Sequence, residues 1–433
     1  MVVAAEVWLW ERLVGAVLWD DGEQLASFEY DPGFLRSGWD IAPITMPLSQ
    51  GKRLHTFPEI RRGRSDAFDT FRGLPGLLAD MLPDKYGNQL INAWLSQNGR
   101  PTDSLNPVEL LCFIGKRGVG ALEIKPSLRS ESGVATNLEI DSLVRMANKI
   151  LNAKESFQTD LSKEEEEALA DILKIGTSAG GARAKAVIAF NPETGEVKSG
   201  QIEAPVGFSH WLIKFDGVTD SQFGASVGYG RVEMAYYLMA LDAGIQMNEC
   251  RILEENGRAH FMTKRFDRTD QGGKIHMQSL CGLRHFDFNQ VGVYSYEQVF
   301  ETMRMLRLFY PEAEQLFIRM VFNVLARNCD DHTKNFAFLM DRSGKWSLSP
   351  AYDICYAYRP GSLWVSSQSL QVNGKRDKIT DVDFLEVARK MNIRKPEEKI
   401  EQVKSAIRRW KEFAEEVKVD AKLRDSIQAT LLV

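Results

Sequence analysis

The chain has 433 residues, 44% of them hydrophobic and 26% charged, a composition of compact soluble proteins with enough chain for two or three lobes around a large core. Its 54 basic and 59 acidic side chains give a formal net charge of -5, which excludes a global positive field that holds nucleic acid by counterion release, so any DNA contact must be local or made through a partner. Cys112, Cys250, Cys281, Cys329 and Cys355 are scattered and odd in number, which fits neither a disulfide framework nor a zinc site and points to reduced thiols in a cytosolic setting.

The opening MVVAAEVWLWERLVGAVLW is apolar, but Glu6, Glu11 and Arg12 break it, and neither a basic leader nor a small-residue cleavage site accompanies it. It reads as strand and turn, so the expectation is a cytoplasmic chain that does not span a membrane. Up to about residue 60, short apolar runs (VWLW, VGAVLW, LASFEY) alternate with turn signals, the pattern of a small β-rich unit. LPGLLADMLPDKYGNQLINAWLSQNG has helical spacing and GVGALEIKP, residues 118–126, returns to strand.

A polar stretch at 127–137 and the acidic helical EEEEALADIL at 164–173 mark the best boundary between lobes, and the charge run reads as a solvated helix face. The expected division is 1–140, an N-terminal α/β subdomain, and 141–433, a core with a helical C-terminal lobe. From 176 to 266, glycine-rich loops and short strands such as AVIAF, HWLIKF and HFMTKRF surround the helical VEMAYYLMALDAG; from Tyr296 onward helices dominate.

Chemistry concentrates in NCDDHTKNFAFLMDRSGKWSLSPAYD, residues 328–353, a segment that follows a helix and contains a hairpin with DRSG at its turn. Asp330 precedes Asn335 by five positions, the D-x-x-x-x-N spacing in which protein kinases orient the acceptor hydroxyl and hold magnesium. Asp353 supplies a second carboxylate after the hairpin, and His332 and Lys334 lie within the cluster. Such polar groups between apolar elements are costly to bury without a ligand. Upstream, Lys214 ends the alternating strand HWLIKFD as a phosphate-pairing lysine would, with Glu233 on the following helix as its expected ion-pair partner. GTSAGGARAKAVIAF, residues 176–190, is rich in small residues that let backbone N–H groups approach phosphate. It is not a Walker A loop, because Ala182 and Arg183 stand where that motif needs lysine and a hydroxyl residue.

SAGGARAK, HWLIKFD, TKRFDR, DDHTKN and PAYD occur in the order typical of HipA-type kinases, and GLLADMLPDKYG and GALEIKP resemble that family's N-terminal segments. The resemblance spans nearly the whole chain. It implies an ATP- and Mg²⁺-dependent serine/threonine kinase with Asp330 as catalytic base and Asn335 and Asp353 as metal ligands. Lys214 would bind phosphate, and Ser178, Ala179, Gly180, Gly181, Ala182, Arg183, Ala184 and Lys185 would form the phosphate loop. Lys264, Arg265 and Phe266 would form the adenine-accepting hinge, with His332, Lys334 and Tyr352 beside the nucleotide. Ser178 matches the family's autophosphorylated loop serine. Asp331 stands where glycine is often found and is expected to add negative charge near the metals; Lys264 stands where the family often has an acid.

The fold expected is therefore α+β and protein-kinase-like, with a β-rich N-terminal lobe, a mainly helical C-terminal lobe and Mg·ATP in the cleft between them. The resemblance further implies a HipB-like helix-turn-helix antitoxin as partner, operator DNA reached through it, and a protein substrate, glutamyl-tRNA synthetase. A catalytically weak corepressor and a small-molecule kinase remain open alternatives. In VNGKRDKIT, residues 372–380, Lys375 and Arg376 are candidate contacts to DNA phosphates.

Overall fold

A computed structural model gives the architecture, and it describes residues 3–63, 69–126, 138–152, 162–176, 183–199, 204–220, 224–225, 228–269 and 271–433. The chain divides into two compact units, one of Met1–Ile41, Met46–Gly230 and Cys250–Met277, the other of Ala42–Thr45, Arg231–Glu249 and Gln278–Val433.

In the first unit, period-two alternation buries Val7, Leu9, Val17, Trp19, Phe28 and Tyr30 and yields β1 (Ala4–Leu9), β2 (Arg12–Asp20) and β3 (Leu25–Tyr30) as an antiparallel meander. β4 (His55–Thr56) adds at one edge. After α1 (Gly76–Ala79), α2 (Lys85–Gln97) and α3 (Pro107–Ile114), β5 (Leu122–Lys125) adds at the other, giving the order β4-β3-β2-β1-β5. Asp84 caps α2 by accepting from Gly87 N at 2.7 Å, and Asn106 and Glu109 close a capping box on α3.

α4 (Ile140–Leu151) and α5 (Lys163–Gly176) precede a second antiparallel sheet. Its strands are β6 (Lys185–Phe190), β7 (Val197–Ser199) and β8 (Ser209–Lys214). The small pair β9 (Thr219–Asp220) and β10 (Gly224–Ala225) follows, then α6 (Tyr229–Asp242), most of which belongs to the second unit, and β11 (Cys250–Glu255) and β12 (Arg258–Lys264) complete the sheet in the order β11-β12-β8-β6-β7. One core packs Tyr86 and Leu90 of α2 with Leu143, Ile172, Ile188 and Ile213, so buried packing runs across residue 140. The acidic residues of α5 behave as a solvated face, with Glu164, Glu166 and Glu167 exposed and Glu165 bonded to Lys149 at 2.7 Å.

A buried charge network joins the β5 approach to the end of β12. Asp267 accepts from Arg265 at 2.6 and 2.8 Å, from Arg268 at 2.9 Å and from Gly120 N at 2.7 Å, while Arg268 also donates to the carbonyls of Gly118 and Gly120. Burial alone would raise the Asp267 carboxyl, but the two guanidiniums outweigh it and hold it well below the usual carboxylate range.

β13 (His276–Ser279) leads into the second unit. There α7 (Leu280–Arg284) is capped by Ser279, and α8 (Tyr296–Met305) begins with a capping box of Ser295 and Gln298. α9 (Tyr310–Leu325) is buried all round over its last ten residues, as a central helix must be. Its Glu312 accepts from Phe309 N at 2.9 Å and from Leu348 N at 2.8 Å, tying the start of the helix to the hairpin β14 (Ala337–Met340) and β15 (Trp346–Leu348). The DRSG sequence forms the hairpin turn, with Gly344 N donating to Asp341 O at 3.0 Å. α10 (Asp381–Met391), α11 (Pro396–Arg408), α12 (Trp410–Glu416) and α13 (Ala421–Gln428) complete the unit, with Trp410 buried against Tyr236 of α6. Cys112, Cys250, Cys281 and Cys329 are buried and all five cysteines are free thiols.

Candidate active site

In the second unit the chain leaves α9 through Arg327, which adopts a left-handed conformation, and enters the 328–335 loop. Cys329 and Asp331 are buried, while the Asp330 side chain between them is 49% exposed. The backbone around Asp330 is pinned on both sides. Cys329 N donates to Ala357 O, and the Cys329 carbonyl accepts from the Ser369 backbone and hydroxyl at 3.2 and 3.0 Å. On the other side, Asn335 Nδ2 donates to the Asp330 carbonyl at 2.8 Å and Asn335 N to His332 O at 2.9 Å, closing a tight turn, Thr333–Asn335. With Nδ2 committed to that bond, the Asn335 carboxamide oxygen is the atom chemically able to accept or coordinate.

Asp331 does not stand beside Asp330 as a second exposed carboxylate. It is 1% exposed and accepts from Tyr296 Oη at 2.8 Å, Gln368 Nε2 at 3.1 Å, Ser369 N at 2.7 Å and Leu370 N at 3.4 Å. Tyr296 Oη also receives Asn323 Nδ2, and Asn323 receives Asn328, so one polar chain links α8, α9 and the loop. Burial pushes the Asp331 carboxyl up to about 6 against these hydrogen bonds, and burial with the Asp331 charge raises the Tyr296 phenol.

Asp353 has a left-handed backbone, φ 55°, which aspartate tolerates better than most residues. It lines one small opening together with Asn335, Asp331, Asn323, Asn328 and the buried Arg319. Arg319 donates to Ser349 O at 2.8 Å, fixing the segment that carries Tyr352 and Asp353, and burial lowers its guanidinium to about 10. Tyr352 Oη donates to Lys334 O at 2.5 Å. The Lys334 ammonium lies 4.7 Å from the Phe288 ring centre, and His332 lies 5.2 Å from the same ring. Among the described residues, neither His332 Nδ1 nor Arg319 Nε has a hydrogen-bond partner.

Asn335 and Asp353 offer hard oxygen donors on one opening, a set that suits Mg²⁺ completed by water and phosphate. The described residues contain no cluster of three or more histidine, cysteine or acidic side chains placed for a metal, so the donor set does not resemble an all-protein cage.

In the first unit Lys214 ends β8, and its ammonium lies 5.8 Å from the ring centre of Phe261, its partner on β12. Lys185, first in β6, is opposite Lys214 on the neighbouring strand and is 3% exposed. Arg183 stacks its guanidinium 4.3 Å from the Tyr229 ring centre, and Ala184 is buried with its carbonyl accepting from Phe215 N. Ser178, Ala179, Gly180, Gly181 and Ala182 lie outside the described residues. Lys264 ends β12 opposite Trp211, Phe266 is half-buried, and the Arg265 guanidinium is spent on Asp267. Glu233 is buried on α6.

Residues 177–413 match the HipA-like C-terminal domain, and residues 5–125 match the HipA N-terminal domain. The chain belongs to the HipA family. A HipA chain solved as the "Shewanella oneidensis MR-1 Toxin Antitoxin System HipA, HipB and its operator DNA complex" is similar in structure at TM-score 0.69 and 17% identity, covering 99% of this chain and 96% of that one. The Helicobacter pylori proinflammatory kinase CtkA aligns at TM-score 0.33 and 14% identity over 52% of this chain and 88% of its own. A comparison with curated proteins gave no match. The mixed fold of α and β elements expected from the sequence is shared with this HipA chain.

Sequence reasoning missed two sets of residues that hold the site's elements in place. Asp216, last in HWLIKFD, accepts from Gly228 N at 3.0 Å and Ala259 N at 3.1 Å, tying the end of β8 to the α6 entry and to β12. Tyr296, Asn323 and Gln368 form the inner support of the 328–335 loop. The first had a signal, a carboxylate closing a buried strand; the second had none, because its members lie far apart in the chain.

Proposed function

We propose that this chain is an ATP-dependent protein serine/threonine kinase acting in the cytoplasm as the toxin of a toxin–antitoxin pair. The carrying observation is the 328–335 loop, where an exposed carboxylate at Asp330 sits on a backbone locked by Asn335 and by buried neighbours. Asp330 takes the proton of the acceptor serine as its Oγ bonds to the γ-phosphorus; the bond from that phosphorus to the β-phosphate oxygen breaks and ADP leaves. Asn335 and Asp353 would hold Mg²⁺, which when bound would neutralise phosphate charge. The Lys214 ammonium meets the nucleotide phosphates, with backbone groups of 178–185 around them. Lys264, Arg265 and Phe266 offer main-chain atoms to adenine, and His332, whose Nδ1 lacks a partner among the described residues, lies with Lys334 and Tyr352 beside the nucleotide.

Family membership supports the rest of the reading: a HipB-like helix-turn-helix antitoxin, operator DNA reached through it, and a translation protein such as glutamyl-tRNA synthetase as substrate. Among the described residues no helix is long and apolar enough to cross a membrane. The test is incubation of the protein and its Asp330→Asn variant with γ-labelled ATP and a cell lysate. Label on protein serine with wild type only is the expected result. Label confined to small molecules, or no transfer at all, overturns the protein-kinase reading. Mass spectrometry of the active protein should find phosphate on Ser178, where about -1.5 to -2 added charges repel the nucleotide phosphates.

A further inference from the structure

Lys185 and Lys214 face each other across β6 and β8, and directly opposed residues of an antiparallel pair project from the same face. Opposed like charges destabilise a sheet unless one is neutralised. The neutralising group is present: the Lys185 ammonium lies 3.3 Å from Asp84 Oδ2, with the two side chains 3% and 9% exposed. Asp84 is itself fixed as the cap of α2 through Gly87 N. The two partners come from different parts of the family pattern, Asp84 from the N-terminal domain and Lys185 from the C-terminal domain.

We propose that Asp84 is a positioning residue for phosphate binding, holding Lys185 as an internal cation so that Lys214 is the member of the opposed pair that meets the nucleotide. The proposal rests on the kinase reading above. It assigns the N-terminal HipA domain a direct electrostatic grip on the phosphate-binding strands. If Asp84 is neutralised, a buried ammonium is left opposite Lys214 and repels it. If Lys185 is neutralised, the bare Asp84 carboxylate draws the Lys214 ammonium to itself and away from phosphate. Removing both charges restores neutrality, and Lys214 is again available.

The experiment is a double-mutant cycle of wild type, Asp84→Asn, Lys185→Met and the double variant. Mg·ATP affinity, KM and kcat are read for each, together with thermal unfolding without nucleotide. Each single change should weaken ATP binding about tenfold, as a rise in KM with kcat at saturating ATP retained, and the double variant should return to within about threefold of wild type. Asp84→Glu, which keeps a carboxylate beside Lys185, should stay near wild type and serves if a charge-removing variant fails to fold. If the double variant binds ATP as weakly as Lys185→Met, Lys185 is itself a phosphate ligand and the proposal falls. If the wild type binds no Mg·ATP while the unfolding temperatures still couple, the kinase reading falls and the ion pair stands as a structural clamp alone.

Discussion

Between buried Cys329 and buried Asp331, the Asp330 carboxylate is left half exposed while its backbone carbonyl is held by Asn335. On the proposed reading Asp330 is the base, which would act on the acceptor hydroxyl and contribute little to nucleotide affinity. Asp330→Asn should cut kcat by about 100- to 10,000-fold with the ATP dissociation constant unchanged. Asp353→Asn should also weaken Mg·ATP binding, most visibly at low Mg²⁺; titrations of both variants at two magnesium concentrations separate the roles. Asp331 carries a pH signature of its own. Its folded value of about 6 lies above its ordinary 3.8, so between about 4 and 6 the folded protein binds more protons than the unfolded chain. Its stabilising contribution is therefore largest in acid and declines as pH rises through that window, by ~3 kcal/mol in all. The unfolding free energy of wild type minus Asp331→Asn should slope downward from pH 4 to 6 and level off above; a flat or rising difference refutes the assignment. The inward turn of Asp331 was not legible in the sequence, where its adjacency to Asp330 suggests a second exposed charge. What turns it inward are Tyr296, 35 positions before it, and Gln368, 37 after it.

Elements whose partners are close in the chain were the legible ones. The β1 to β3 alternation and the DRSG hairpin read directly from local pattern, because turn chemistry and period-two burial act over a few residues. TKRFDR was legible as a motif but not as a joint: its Asp267 and Arg268 bond to Gly118 and Gly120, 147 to 150 positions away. Gly120 shows how tight that joint is. Its φ is +71°, and a side-chain carbon there would meet Met277 N at 2.9 Å. Gly120→Ala should therefore cost roughly 1–3 kcal/mol from left-handed strain alone, with the steric clash adding to it. Thermal unfolding should show the loss in the absence of ATP, and an unchanged midpoint would mean that the loop shifts freely.

Taken over the full chain, a net charge of -5 leaves no long-range attraction to DNA, so on the proposed reading operator binding would come from the antitoxin with local help from this protein. The 372–380 loop is the proposed help, and its basic residues are partly committed within the fold. Lys375 pairs with Asp383 at 2.8 Å while remaining half exposed, and Arg376 Nε donates to Gln368 O at 2.7 Å. Gln368 also bonds Asp331, so Arg376 braces the same segment that supports the 328–335 loop. Lys375→Ala and Arg376→Ala should therefore be separable. Basic side chains on DNA phosphates position a protein without reading sequence. Removing one such side chain should thus weaken the antitoxin complex on all operators alike and flatten the plot of log affinity against log salt by about 0.9. Lys375→Ala should show this effect with kinase activity retained. Arg376→Ala should flatten the slope and also lower phosphoryl transfer, because it loosens Gln368. The measurement is operator affinity of the complex across a salt series, with kinase assays on the same proteins. Unchanged slopes for both variants would assign DNA binding wholly to the antitoxin and leave Arg376 as a brace of the loop.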